Sequence, residues 1–198
     1  MSQVGFVNSS ASEPWVMPSR GIVGMACLIV AEASIFIIFI VAYIYYLGKS
    51  VTGPTPHDVL ELPIFTSICL FSSSATVHFA VSALEHGKRS LTSLWLAATV
   101  LLGGIFIGGT AREWYQLIYR DGLTIRTNLF GTTFYSLVGL HASHVIVGLI
   151  LLTTALIFSL TGGLTSRHTN RFEVLSLYWH FVDAVWVVVF LVVYVLGR

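Results

Sequence analysis

The sequence predicts an all-α polytopic membrane protein, a bundle of five transmembrane helices, and two observations carry that prediction. Hydrophobic residues make up 56% of the 198-residue chain and charged residues only 10%, against about 25% charged in ordinary soluble domains. Mean hydropathy is +0.85. The apolar residues also gather in five runs, 21–47, 64–84, 91–118, 129–160 and 172–196. Each meets the roughly 20 residues that a helix needs to cross a hydrocarbon core of ~30 Å, and a helix satisfies its own backbone groups in lipid. The chain divides accordingly into a polar N-terminal tail, 1–20, and a transmembrane domain, 21–198.

Composition excludes several classes of function. A net charge of +1 gives no sign of a nucleic-acid partner or an acidic substrate. Cys27 and Cys69 fall inside apolar runs without C-x-x-C spacing, so both are expected as buried packing residues rather than disulfide or zinc ligands. The tail has no basic start followed by an apolar core, so no cleavable signal peptide is expected. The connections 49–62, 86–90, 119–128 and 161–171 are too short to house a soluble domain. Function therefore belongs to the helices.

The first run carries Glu32, roughly 15 Å deep at 1.5 Å per residue. It serves either as a proton-handling or lipid-facing carboxylate, or as a carboxyl hydrogen-bonded to a neighbouring helix. Tyr43, Tyr45 and Tyr46 read as an interfacial belt near its exit. The second run holds Ser72, Ser73, Ser74, Thr76 and His78, and small hydroxyl residues permit close interhelical approach and hydrogen bonding. If the helices alternate in direction, His78 matches His180 in depth. The third run has Gly104-x-x-x-Gly108, a flat face for tight packing. Arg112 and Glu113 follow it; as neighbours on a helix they do not face each other, so each needs its own partner. Trp114, Tyr115 and Tyr119 form the belt at that end.

The fourth run places His141 and His144 on one face near mid-membrane, with Gly148 a turn further on. The last run carries Glu173, Ser176, His180 and Asp183 at helical spacing, a polar seam turned toward the other helices. An ionisable side chain at that depth costs roughly 2.5–3.5 kcal/mol by insertion scales. The bundle must supply partners. Basic residues lean toward a cytoplasmic N-terminus and an external C-terminus: Arg20, Lys88, Arg89, Arg167 and Arg171 lie on the N-terminal side, Lys49, Arg120, Arg126 and Arg198 on the other.

Several chemistries can be weighed against these positions. His141 and His144 with Glu32 or Asp183 offer the ligand types for a metal, and His78 with His180 could flank one haem. A close i, i+3 histidine pair is, however, common in packing. There is no H-E-x-x-H and no G-x-S-x-G, which argues against a protease or lipase. Intramembrane polar groups keep a small stand-alone transporter open, although the helices lack paired proline breaks.

Taken together, these motifs resemble subunit III of the haem-copper oxidases. Tyr178-Trp179-His180-Phe181-Val182-Asp183 with Glu173 and Trp186 carries the resemblance most strongly. Phe130-Gly131-Thr132-Thr133-Phe134 with Gly139, His141, His144, Val145 and Gly148, then Glu113-Trp114, then Glu32 with Phe36 and Tyr43, complete it. Ala31, Thr110, Leu140 and Ala142-Ser143 depart from residues frequent in the family. The chain is similar to a short form lacking the first two of seven helices.

The resemblance implies a non-catalytic subunit with no cofactor of its own. Haem and copper belong to partner subunits, and bound phospholipid is compatible with the fold. It implies packing on the catalytic subunit I, with subunit II and membrane lipids as further partners, in a bacterial inner membrane. Its role would be to bind lipid and support proton uptake during oxygen reduction. Glu32, His78, Glu113, His141, His144, His180 and Asp183 form the expected internal polar layer, with no catalytic or metal-binding residue in the chain. A quinol oxidase subunit III and the related accessory subunit of a nitric oxide reductase are the alternatives within the same fold.

Overall fold

The first helix starts at Ser19, whose hydroxyl accepts from the backbone N–H of Ile22 at 3.4 Å and so satisfies one of the free donors of a helix start. A computed structural model describes residues 19–50, 53–164 and 168–197. Most of the polar tail, together with Arg167 and Arg198, lies outside the described residues. Helix α1 spans Arg20–Tyr46, and a single turn, α2, spans Pro56–Val59. The remaining helices are α3, Ile64–Glu85; α4, Arg89–Tyr119; α5, Leu129–Leu160; and α6, Thr169–Phe190. The chain continues from α6 as π-helix over Leu191–Leu196. Among the described residues there is no strand, and five helices are long and apolar enough to cross a membrane.

The turns follow from local chemistry. At the end of α3, Gly87 adopts φ +69°, open to glycine without the Cβ clash of other residues. This lets the Lys88 N–H reach Ala83 O (2.9 Å) and the Gly87 N–H reach Leu84 O (3.0 Å). That pairing closes the last turn of the helix and sends α4 back along α3. Gly162, at φ +78°, ends α5 in the same way, with Gly163 N–H on Phe158 O at 3.2 Å. Asn128 starts α5 by accepting from Gly131 N–H at 2.8 Å, while its amide donates to Pro54 O at 3.1 Å. The latter bond ties the α4–α5 turn to the connection after α1.

Short connections make successive spans antiparallel. Helices α3, α4, α5 and α6 close a four-membered ring in which α3 meets α4 and α6, and α5 also meets α4 and α6. Helix α1 docks outside that ring, against α5 and α6. Only Phe36 and Tyr43 of α1 are buried. Between α3 and α4 the Thr76 and Thr99 hydroxyls lie 2.8 Å apart, and between α4 and α5 those of Ser93 and Ser159 lie 2.7 Å apart. Lipid is as apolar as these side chains, so close packing and such hydrogen bonds hold the helices together.

The glycine contact that seats α6 differs from the one the glycine spacing predicts. Gly104 and Gly108 are exposed, and a Cβ on either would meet nothing within 4 Å. Gly103 does the packing instead: a Cβ there would stand 2.8 Å from Leu149 Cδ2 and 3.0 Å from the Trp179 ring. Gly148 of α5 meets the same indole from the other side, with its Cβ position 2.8 Å from Cε3 and Cζ3. Two glycines on two helices thus make the slot for one tryptophan of a third. Spacing finds a small-residue face but cannot tell which face turns inward.

Three smaller expectations also change. Cys69 is buried, but Cys27 lies exposed on the outer face of α1. Tyr43 points into the bundle, 1% exposed, and leaves the belt to Tyr45 and Tyr46. Trp114 is half-buried against Tyr135 (ring centroids 5.2 Å), whereas Tyr115 and Tyr119 are exposed.

Candidate functional site

The α6 seam meets α3 as an antiparallel ladder. Moving from Trp179 to Trp186 along α6 moves from Ser73 back to Ser67 along α3: Trp179 Nε1 donates to Ser73 Oγ at 2.8 Å, and Trp186 Nε1 to Ser67 Oγ at 3.0 Å. Ser74, beside Ser73, serves the ionisable pair. Its hydroxyl donates to Asp183 Oδ2 and lies 3.0 Å from His180 Nδ1. With Asp183 ionised and the one Ser74 O–H given to it, Ser74 can only accept from the imidazole, which puts the proton on Nδ1. Nε2 then faces Ser176 Oγ at 3.2 Å as an acceptor. Ser176, His180, Ser74 and Asp183 form one directed chain. Its last atom, Asp183 Oδ1, is buried and has no hydrogen-bond partner among the described residues.

A second group joins α1 to α5. His144 Nδ1 lies 2.8 Å from Leu140 O, one turn back. A carbonyl only accepts, so Nδ1 is the donor. Nε2 is left facing Glu32 Oε2 at 3.1 Å. This is the only ion-pair geometry among the described residues, and its side chains are 14% and 26% exposed. Phe36, one turn beyond Glu32, covers the imidazole with ring centroids 5.0 Å apart, and Tyr178 of α6 donates to His144 O at 3.2 Å. The partner of Glu32 is therefore on α5, as the hydrogen-bonded reading of that carboxyl requires.

The third group joins α4 to the π-helical end. Tyr194 donates to Glu113, with its hydroxyl 2.9 Å from Oε1 and 3.1 Å from Oε2. Arg112 is exposed and, among the described residues, forms no ion pair with Glu113, in keeping with the separation of adjacent positions on a helix.

The expected single polar layer is thus three separate groups, and two of its residues stand apart. His78 is exposed on α3 beside Phe79, and Ser74 rather than His78 meets His180. His141 is 1% exposed and stacked on Trp186 (4.9 Å, 28°), with Phe106 edge-on at 5.9 Å. Among the described residues neither of its ring nitrogens has a hydrogen-bond partner. His141 and His144 share a face of α5, and Phe36 of α1 meets both rings, at 6.4 Å and 5.0 Å, while α4 and α6 cover His141 from its other sides. Among the described residues no three His, Cys, Asp or Glu side chains are placed to hold a metal. The partners that sequence reasoning missed were the tryptophan N–H groups and Tyr194. The serine cluster on α3 was their signal, since a buried indole N–H requires an acceptor.

These arrangements can tie helices together and hold protons at defined atoms. Residues 16–198 match the model of the family described as cytochrome c oxidase subunit III. The chain is 39% identical to cytochrome c oxidase subunit 3 of Synechocystis sp., over 90% of this chain and 77% of that protein. It is 35% identical to cytochrome c oxidase subunit 3 of Bacillus subtilis, over 83% and 79% respectively. Similarity extends to cytochrome bo(3) ubiquinol oxidase subunit 3 of Pseudomonas aeruginosa, 33% identical over 88% of this chain and 84% of that one.

Proposed function

Because the chain belongs to the cytochrome c oxidase subunit III family, we propose that it packs on the catalytic subunit of an aerobic haem-copper terminal oxidase, holds lipid there, and sustains proton uptake during oxygen reduction. It is an integral membrane protein and a component of a multi-subunit oxidase. Haem and copper sit in partner subunits I and II of that assembly, in a bacterial inner membrane, with the N-terminus cytoplasmic and the C-terminus external. The observation that carries this reading is the family match along nearly the whole chain. The site geometry agrees with it. Glu32, Glu113, His144, His180 and Asp183 are each engaged by another helix, which suits a scaffold.

Co-purification tests the reading. Solubilised gently from its native membrane, the chain should leave with subunits that show haem absorption. Purified free of them, it should be colourless and metal-poor. Stoichiometric iron or copper on the isolated chain, or extraction with no haem-bearing partner, would overturn the proposal. The similarity to a ubiquinol oxidase subunit supports a second reading within the same role, a quinol-fed assembly. Oxidation of reduced cytochrome c by the purified complex, against oxidation of quinol, separates the two.

Within this role the polar pairs lock the helices so that the bare outer side of α1 stays in place as a docking face. The Glu32→Gln and His144→Leu substitutions should couple, with an interaction energy of about 1 kcal/mol in a double-mutant cycle scored by subunit retention. Strictly additive effects would remove the pair from the locking scheme. The competing role gives exposed His57 and His86 and the inner carboxylates to proton delivery. A variant that stays bound yet slows proton uptake would favour that role.

A further inference from the structure

At the end of the bundle where α1 and α4 finish and α3 and α5 begin, a cavity of about 660 Å³ opens between the start of α3 and the last turns of α4. It is separate from all three polar groups except for Glu113 in its wall. Its lining is charged, and both signs are present: Arg112, Gln116 and Arg120 from α4, together with Glu61 and Asp121. The first three recur every fourth residue, so their donors share one face of the helix. Arg112 and Arg120 are exposed, and among the described residues neither forms an ion pair. Glu61 and Asp121 likewise form none.

Beside this charged hollow lies an apolar lip. Phe65 is 71% exposed, and Ile64, Ile68 and Phe71 continue down α3 at helical spacing, 55%, 57% and 40% exposed. An occupant must therefore carry an anion for the arginines, a hydrogen-bonding cation for the carboxylates, and a hydrocarbon tail for the α3 ridge. A metal ion meets only the second demand, and no three ligating groups are placed for one among the described residues. A purely anionic lipid leaves the carboxylates facing like charge.

We propose that the cavity binds the headgroup of a zwitterionic phospholipid whose ammonium bears N–H donors, a phosphatidylethanolamine. Its phosphate sits against Arg112, Gln116 and Arg120, its ammonium against Glu61 and Asp121, and its acyl chains along Ile64, Ile68 and Phe71. Guanidinium–phosphate and ammonium–carboxylate contacts are charge-assisted and stronger than neutral hydrogen bonds. A choline headgroup has no N–H to give, so the carboxylates become a selectivity element. The site narrows the lipid-holding part of the proposed function to one place, and its test is independent of haem content.

Native mass spectrometry of the intact complex, delipidated and then titrated with palmitoyl-oleoyl phosphatidylethanolamine or the matching phosphatidylcholine, tests the assignment. The ethanolamine lipid should bind about 10-fold more tightly, the equivalent of one charge-assisted contact. The double variant R112Q/R120Q should weaken both lipids by about 10-fold, whereas E61Q/D121N should abolish the preference and leave choline-lipid binding unchanged. All four side chains lie at the bundle end rather than in its core, and retention of haem-bearing partners by both variants reports their folding. Soluble phosphoethanolamine should not compete at lipid concentrations. Equal affinity for the two lipids, insensitivity to either variant, or displacement by phosphoethanolamine would each overturn the site. Loss of haem partners from the wild-type complex would instead count against the oxidase reading.

Discussion

Replacing Trp179 with alanine should lower the unfolding free energy of the subunit by about 3–5 kcal/mol, the range for removal of a large buried aromatic. The indole is 0% exposed and lies between Gly103 of α4 and Gly148 of α5 while its N–H reaches Ser73 of α3, so it touches three helices besides its own. In a bilayer the loss arises from contacts rather than from water, because lipid solvates a detached helix as well as a neighbour does. Dispersion between dense partners is small per atom pair and large in sum. The slot is also rigid, since neither glycine has a side chain to swing into the gap. Phenylalanine should cost less, about 1–3 kcal/mol, by keeping part of the packing while giving up the N–H bond to Ser73 and some of the ring contacts with the glycines. Unfolding in mixed micelles or by steric trapping in bicelles reads both. A loss below about 1 kcal/mol for alanine would show that α4 and α5 close over the gap.

Adding volume to the same slot is the second large effect. Gly148→Leu should destabilise the bundle by about 1–3 kcal/mol or more, the cost of overpacking. The first added carbon already stands 2.8 Å from two ring atoms of Trp179 and 3.4 Å from Tyr178. Tyr178 donates to the His144 carbonyl, so its displacement also disturbs the turn that presents His144 to Glu32. Gly104→Leu is the control. That position is open, and the change should stay within about 0.5 kcal/mol of wild type, as surface substitutions do. If both substitutions cost the same in one unfolding assay, the α4–α5–α6 contact is not a tight point of the bundle.

The contrast between Gly104 and Gly148 shows how much of the fold the sequence makes readable. Hydropathy is a one-dimensional property, and five runs of spanning length appear in it directly. Which side of a nearly all-apolar helix turns inward is not one-dimensional. Gly103 and Gly104 are neighbours in sequence and point about 100° apart, and only the position of α6 decides between them. Cys27 was misjudged for the same reason, because an apolar run looks alike on its lipid and protein sides. Costly groups were easier to read. Glu32, His144, His180 and Asp183 could be expected to have partners because insertion penalises them alone. That Ser74 and Ser176 would serve His180, or Tyr194 serve Glu113, required the pairing of helices. His141 escaped the argument because aromatic faces cover it instead of hydrogen bonds.

Helix α1 is made before the helices it rests against, α5 and α6. His144 follows Glu32 by 112 positions. At about 5–20 residues per second of synthesis, some ten seconds separate the two on a ribosome. Throughout that interval the newborn segment has a carboxyl group in the membrane and none of its eventual neighbours. A translocon wall, a chaperone or a companion subunit has time to shield it, so assembly of this bundle begins with a debt that only its final hairpin settles.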